Sequence, residues 1–202
     1  MIDWLKNITK DYPDFWKAYL GTFSSKSNRF VVLNTKLSGT NPEKDLILEI
    51  SAVNVIDNSV QINDLCEIVI MQYKYIHDNG LVNEYILIKN KNKVSEDIAI
   101  QIFVEFLKNA IIVGININSM IEMINVSLEK MNCGRLKNQA LDLGVMYQKY
   151  TDDYDINHSF SKQLQLNNIQ IEESNSCTED AFSAALLFIK LKQKLKLQIK
   201  NN

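Results

Sequence analysis

Residues 29–55, RFVVLNTKLSGTNPEKDLILEISAVNV, constrain the fold more than any other stretch of this chain. The apolar run Phe30, Val31, Val32, Leu33 leads into a polar turn containing Gly39 and Pro42. A second strand-like run, Leu46 to Val55, follows it, and residues 60 to 71 (VQINDLCEIVIM) read as a third. Three β-rich runs joined by short polar turns predict an antiparallel meander.

The rest of the chain changes character. Ser95 is placed as the N-cap of a helix with Glu96 and Asp97 in its first turn, where acids suit the helix dipole. Its inward face is expected to carry Ile98, Ile102 and Phe106 together with Ala99, Phe103 and Leu107. Ala110 to Val113 reads as a short buried strand ended by Gly114. Residues 119 to 131 form a further helix, with Met123, Ile124, Leu128 and Met131 inward and Gly134 as its expected C-cap. Helices near 140 to 150 and from about Thr178 to Leu197 complete the chain, the last with Ala181, Ala184, Ala185 and Phe188 inward. Strands first, then helix, strand and more helices is an α/β layout. Residues 1–28 read as a helical extension and 29–202 as one domain. In the extension Trp4, Leu5, Ile8, Phe15, Trp16, Tyr19 and Leu20 recur at helical spacing around Pro13. That face either packs on the domain or serves as an aromatic arm for a protein partner.

Composition removes several function classes. A net charge of −2 over 202 residues gives no global field to hold nucleic acid, so any such contact is local. Cys66, Cys133 and Cys177 are odd in number and far apart, as expected for reduced, buried thiols of a cytoplasmic protein. No run of about 18 apolar residues predicts a membrane span, and no membrane partner is expected. Lys190, Lys192, Lys194, Lys196 and Lys200 give the last helix a basic tail, either a solvated face or a contact for an acidic partner.

The strand at 30–36 resembles the first motif of the DEDDh 3′–5′ exonucleases, the DnaQ-like proofreading type with a ribonuclease H-like fold, in which such a strand carries Asp-x-Glu. Here Asn34 and Lys36 stand at those positions. VGININSM, Val113 to Met120, is similar to the second motif: Gly114 and Asn116 remain, and Met120 takes the place of a metal-binding Asp. NSCTEDAFSAA is similar to the third, with Asn175 where the general-base His stands and Asp180 where the final Asp stands. The resemblance covers roughly residues 29 to 197. It implies a mixed sheet, a three-stranded antiparallel meander plus parallel strands, flanked by helices. It implies nucleic-acid contacts at Thr35, Ser38, Gly39 and Asn116, and Mg²⁺ or Mn²⁺ as cofactor were the site active.

Two-metal hydrolysis needs hard anionic oxygens around both ions. Asp180 is the one acid left of the four ligand positions, and the Lys36 ammonium repels a dication. An amide at Asn175 cannot serve as a base near neutral pH. Metal is therefore not expected, and Lys36 is expected to pair with Asp180 in its place. Glu122, His158 and Glu49 are weak substitutes, since Glu122 points round the helix from Met120; His77 is assigned nothing. The resulting expectation is a pseudo-exonuclease retained for binding single-stranded nucleic acid or for assembly. An active exonuclease of the polymerase III epsilon type with a non-standard site, and a structural subunit of a larger complex, are the alternatives.

Overall fold

The computed structural model describes residues 11–72, 93–153, 158–170 and 176–197. In chain order the elements are α1 (Asp14–Gly21), a 3₁₀ turn (Thr22–Ser24), β1 (Phe30–Leu37), β2 (Ile47–Ile56), β3 (Ser59–Ile70) and β4 (Lys93–Val94). Then come α2 (Glu96–Leu107), β5 (Ile111–Gly114), α3 (Ile117–Lys130), β6 (Ala140–Asp142), α4 (Leu143–Thr151), α5 (Phe160–Leu166) and α6 (Cys177–Lys194).

One six-stranded mixed sheet runs β4-β3-β2-β1-β5-β6. The meander is present: β1 pairs antiparallel with β2, and β2 with β3. Its second turn is Asp57-Asn58, both left-handed (φ 49° and 60°), the backbone that a two-residue hairpin requires. β5 joins β1 in parallel, and β6 joins β5 likewise.

Alternation along β1 feeds two cores. Val31 and Leu33 join Ile50, Ala52, Phe103, Leu107, Ile124 and Leu128 on one face. Phe30 and Val32 join Val53, Val113, Leu143, Ala185 and Phe188 on the other. The sheet is thus covered on both sides, which explains why FVVL has no polar alternation. α1 belongs to the first core: Trp16 and Tyr19 are buried and stacked at 4.5 Å, and Tyr19 Oη donates to Asn138 Oδ1 at 2.7 Å while accepting from Lys137 N at 2.8 Å. These two aromatic anchors are therefore spent inside the chain's own core and not on a protein partner. Trp4, Leu5, Ile8 and Lys200 lie outside the described residues.

Four local expectations need correction. In α2 the buried residues are Ala99, Ile100, Phe103, Val104 and Leu107, whereas Ile98 (47% exposed) and Ile102 (40%) face out. Two apolar stripes compete on that helix, and packing on the sheet chose the one with small Ala99. Ser95 holds the N-cap position of α2 as expected, but its hydroxyl turns to the Asp97 carboxylate instead of capping a backbone N–H. Gly134 does not close α3; Asn132 takes the left-handed position there (φ 58°), and Gly134 instead lies against the Trp16 indole. Residues 140–142 are a strand pairing with β5, and only then does α4 begin.

Candidate functional site

The N-terminus of α6 descends on the middle of β1 and β2, and the polar residues of the chain gather there. Asn34 lies on the same face of β1 as Phe30 and Val32, the face covered by α6. Its Nδ2 donates to Cys177 O (3.3 Å) and reaches Asp180 Oδ2 at 3.5 Å, with Cys177 Sγ at 3.6 Å. Across the ladder Asn34 pairs with Ser51, and Lys36 with Glu49. Ser51 and Glu49 are buried, at 1% and 5% exposure. Ser51 Oγ lies 3.0 Å from Thr178 Oγ1, and the Thr178 hydroxyl donates to the Glu67 carboxylate of β3. A polar chain from β3 through β2 to β1 thereby fastens the first turn of α6, whose own start is capped by Ser176.

Electrostatics follow from this burial. Loss of water pushes the Asp180 carboxyl above its ordinary value, opposed by the positive charge of Lys36 and by the Asn34 amide. Burial pushes the Cys177 thiol up to about 11, which leaves it protonated and unreactive at neutral pH. Lys36 itself is half-buried. None of the ion pairs among the described residues, with N to O within 4.0 Å, includes it, so the expected Lys36–Asp180 contact pair is not formed. The reason is register: Lys36 stands opposite Glu49, two positions along β1 from the Asn34 that touches Asp180.

The remaining expected positions divide. Met120, in the first turn of α3, packs against the first core, on the other side of the sheet from Asn34 and Asp180. An apolar side chain at that position gains more from core burial than from a polar cleft. Asn116 takes a left-handed turn (φ 51°) before α3 without a side-chain cap, and the carboxylate of Asp142 fastens this corner. Its Oδ2 accepts from Ile117 N (3.0 Å) and its Oδ1 from Gly144 N (2.8 Å). Ser38 and Gly39 build the β1–β2 loop: Ser38 Oγ donates to Asp45 Oδ1 (3.2 Å) and accepts from Leu46 N (2.9 Å). A Cβ on Gly39 would fall 2.4 Å from the Asp45 carboxylate. Thr35 Oγ1 is buried without a hydrogen-bond partner. Glu122 is tied to Arg135, and His158 sits against Tyr147 at 5.9 Å between ring centroids. Asn175 and His77 lie outside the described residues.

Mg²⁺ or Mn²⁺ does not fit this donor set. A neutral amide and an ammonium stand beside Asp180, and among the described residues no group of three His, Cys, Asp or Glu side chains is arranged to hold a metal ion. Ser51 and Glu67 were not singled out from sequence, and Cys177 and Thr178 were read only as a buried thiol and as the start of the last helix, not as site residues. Only Ser51 left a signal, as a lone hydroxyl within the apolar run of β2.

This architecture is that of the DEDDh-type exonucleases, a ribonuclease H-like mixed sheet flanked by helices. The nuclease domain of 3′hExo, a DEDDh family member solved with rAMP, superposes with a TM-score of 0.64 at 10% identity, covering 88% of this chain and 98% of that one. Escherichia coli exonuclease I in its zinc-bound complex with single-stranded DNA gives 0.60 at 14% identity, over 85% of this chain and 42% of that one. Exonuclease I of Methylocaldum szegediense gives 0.60 at 14%, over 82% and 40%. The chain thus spans about two fifths of the exonuclease I proteins and nearly all of the 3′hExo domain. No protein-family model and no curated protein matches the sequence. Among the described residues no helix is long and apolar enough to cross a membrane.

Proposed function

We propose that this chain is a pseudo-exonuclease, a DEDDh-type fold that binds single-stranded nucleic acid without hydrolysing it. The observation that carries the reading is the contact of Asn34 with Asp180 beside Lys36, where hydrolysis requires carboxylates converging on a shared ion. The solved exonuclease I complexes hold single-stranded DNA on the same fold, which supports the ligand class. Binding would be local and modest, since the chain carries a net charge of −2.

The decisive measurement uses a 3′-labelled single-stranded oligonucleotide with Mg²⁺ or Mn²⁺. Fluorescence polarisation is expected to rise with protein concentration and fall with added salt, while the label stays on full-length strand. Metal-dependent shortening that disappears in Asp180→Ala would overturn the reading in favour of an active, non-standard exonuclease. Absence of any polarisation change would favour the assembly reading instead, for which the exposed Ile98 and Ile102 of α2 speak. Within the basic tail, Lys190 donates to Asn167 O, and Lys192 lies over the Phe30 ring at 4.9 Å. Lys194 and Lys196 remain exposed for such a contact.

A further inference from the structure

We infer that Lys36 is the resident cation of the cleft: its ammonium supplies, without a metal ion, the counter-charge shared by Glu49 of β2 and Asp180 of α6. The inference rests on the reading of the site as metal-free, and its test needs no nucleic acid.

Three placements carry it. Lys36 and Glu49 are direct partners in the antiparallel ladder, so their side chains leave the same face of the sheet with Cβ atoms about 5 Å apart. Glu49 is 5% exposed and cannot recover its lost hydration from bulk water. Asp180 comes down on that face from α6 and is held by the Asn34 amide, two residues from Lys36 on β1. Two carboxylates from different layers of the fold therefore border one lysine. The third nearby acid, Glu67 of β3, is taken up by the Thr178 hydroxyl.

Carboxylates drawn out of water destabilise a fold unless a cation or several donors face them. In a two-metal site the ions do this. Here the described residues that act electrostatically on Asp180 and Cys177 include one cation, Lys36. Among the described residues its ammonium forms no ion pair within 4.0 Å with either acid, so its charge acts through space. The consequence is that the N-terminus of α6 stays fastened to the sheet whether or not divalent ions are present.

Thermal unfolding in EDTA-containing buffer tests this with four proteins: the parent, Lys36→Met, the pair Glu49→Gln with Asp180→Asn, and all three together. Lys36→Met keeps the aliphatic stem and removes the charge. It is expected to lower the midpoint by about 3 °C or more in the parent, and to cost nothing once both carboxylates are amides. An equal loss in both backgrounds would assign Lys36 to packing alone, and no loss in the parent would remove its role; either overturns the inference. Should Lys36→Met fail to fold, a folded triple variant supports the charge argument and an unfolded one overturns it. Adding Mn²⁺ to the parent is expected to leave the midpoint unchanged. A rise that Asp180→Asn abolishes would show that a metal, not Lys36, holds the site.

Discussion

Gly114 shows how a single missing side chain positions the site. It ends β5 where that strand runs alongside β1, and a Cβ built on it would lie 2.8 Å from the Leu33 carbonyl oxygen and 2.9 Å from Ile117 Cδ1. The isoleucine can turn, but the carbonyl belongs to β1, the strand that carries Asn34 and Lys36. Gly114→Ala must therefore push β5 and β1 apart or shift α3. The expected cost is about 1–3 kcal/mol, read as a lower urea midpoint with an unchanged slope. A variant as stable as the parent would mean that the corner yields freely. Asp142 works at the same scale, one carboxylate answering backbone N–H groups of both α3 and α4.

At the scale of elements, α1 and α6 do opposite jobs. α6 brings polar groups to the sheet at its first turn and a purely apolar face, Ala181, Ala184, Ala185 and Phe188, beyond it. α1 brings no site residue and closes the first core with Trp16 and Tyr19. Trp16 is 1% exposed, stacks on Tyr19 and rests against Gly134. Replacing it with alanine removes a large buried ring that the surroundings cannot refill. Trp16→Ala is expected to lose about 3–5 kcal/mol of unfolding free energy, measured by guanidinium denaturation. A loss below about 1 kcal/mol would mark α1 as a detachable arm, the role that the aromatic pattern of residues 1–28 left open. The part of β3 that β4 leaves uncovered illustrates edge control: its register against β2 shifts between Val53 and Asn54, so that Ile62 to Asp64 bulge out, and Asp64 is drawn back to Asn54.

The whole molecule responds to alkali through groups that burial keeps protonated. Burial raises the Tyr19 hydroxyl and the Cys66 thiol each to about 12, from ordinary values of 10.0 and 9.0. Between those values and about pH 12 the unfolded chain has released protons that the folded chain still holds. Stability contributed by these groups is complete below about pH 9 and falls as pH rises toward 12. Chemical denaturation between pH 8 and pH 11 is expected to show a steady decline in stability beginning near pH 9. Cys66→Ala and Tyr19→Phe should each flatten it, even where they lower stability at neutral pH by removing packing or the bonds to Asn138 and Lys137. A flat profile in the parent would show that neither group stays protonated on folding.

The sequence alone determined the meander and the helical second half, because those depend on short-range periodicity and on the order of elements; the meeting of its first and third motifs was implied by the resemblance to the DEDDh exonucleases. The runs at 30–33 and 46–55 are strands as read, and Ala181, Ala184, Ala185 and Phe188 are buried on α6 as expected. Tertiary structure decided whatever required choosing between near-equal faces or partners. α2 turned Ile98 and Ile102 outward because Ala99 and Phe103 fit the sheet more closely, and Met120 went to the core opposite the cleft. Lys36 was legible as a charge in the wrong place for metal chemistry, but its cross-strand partner was not. Ladder register set Glu49 opposite it, and register depends on pairing between strands that no single strand encodes.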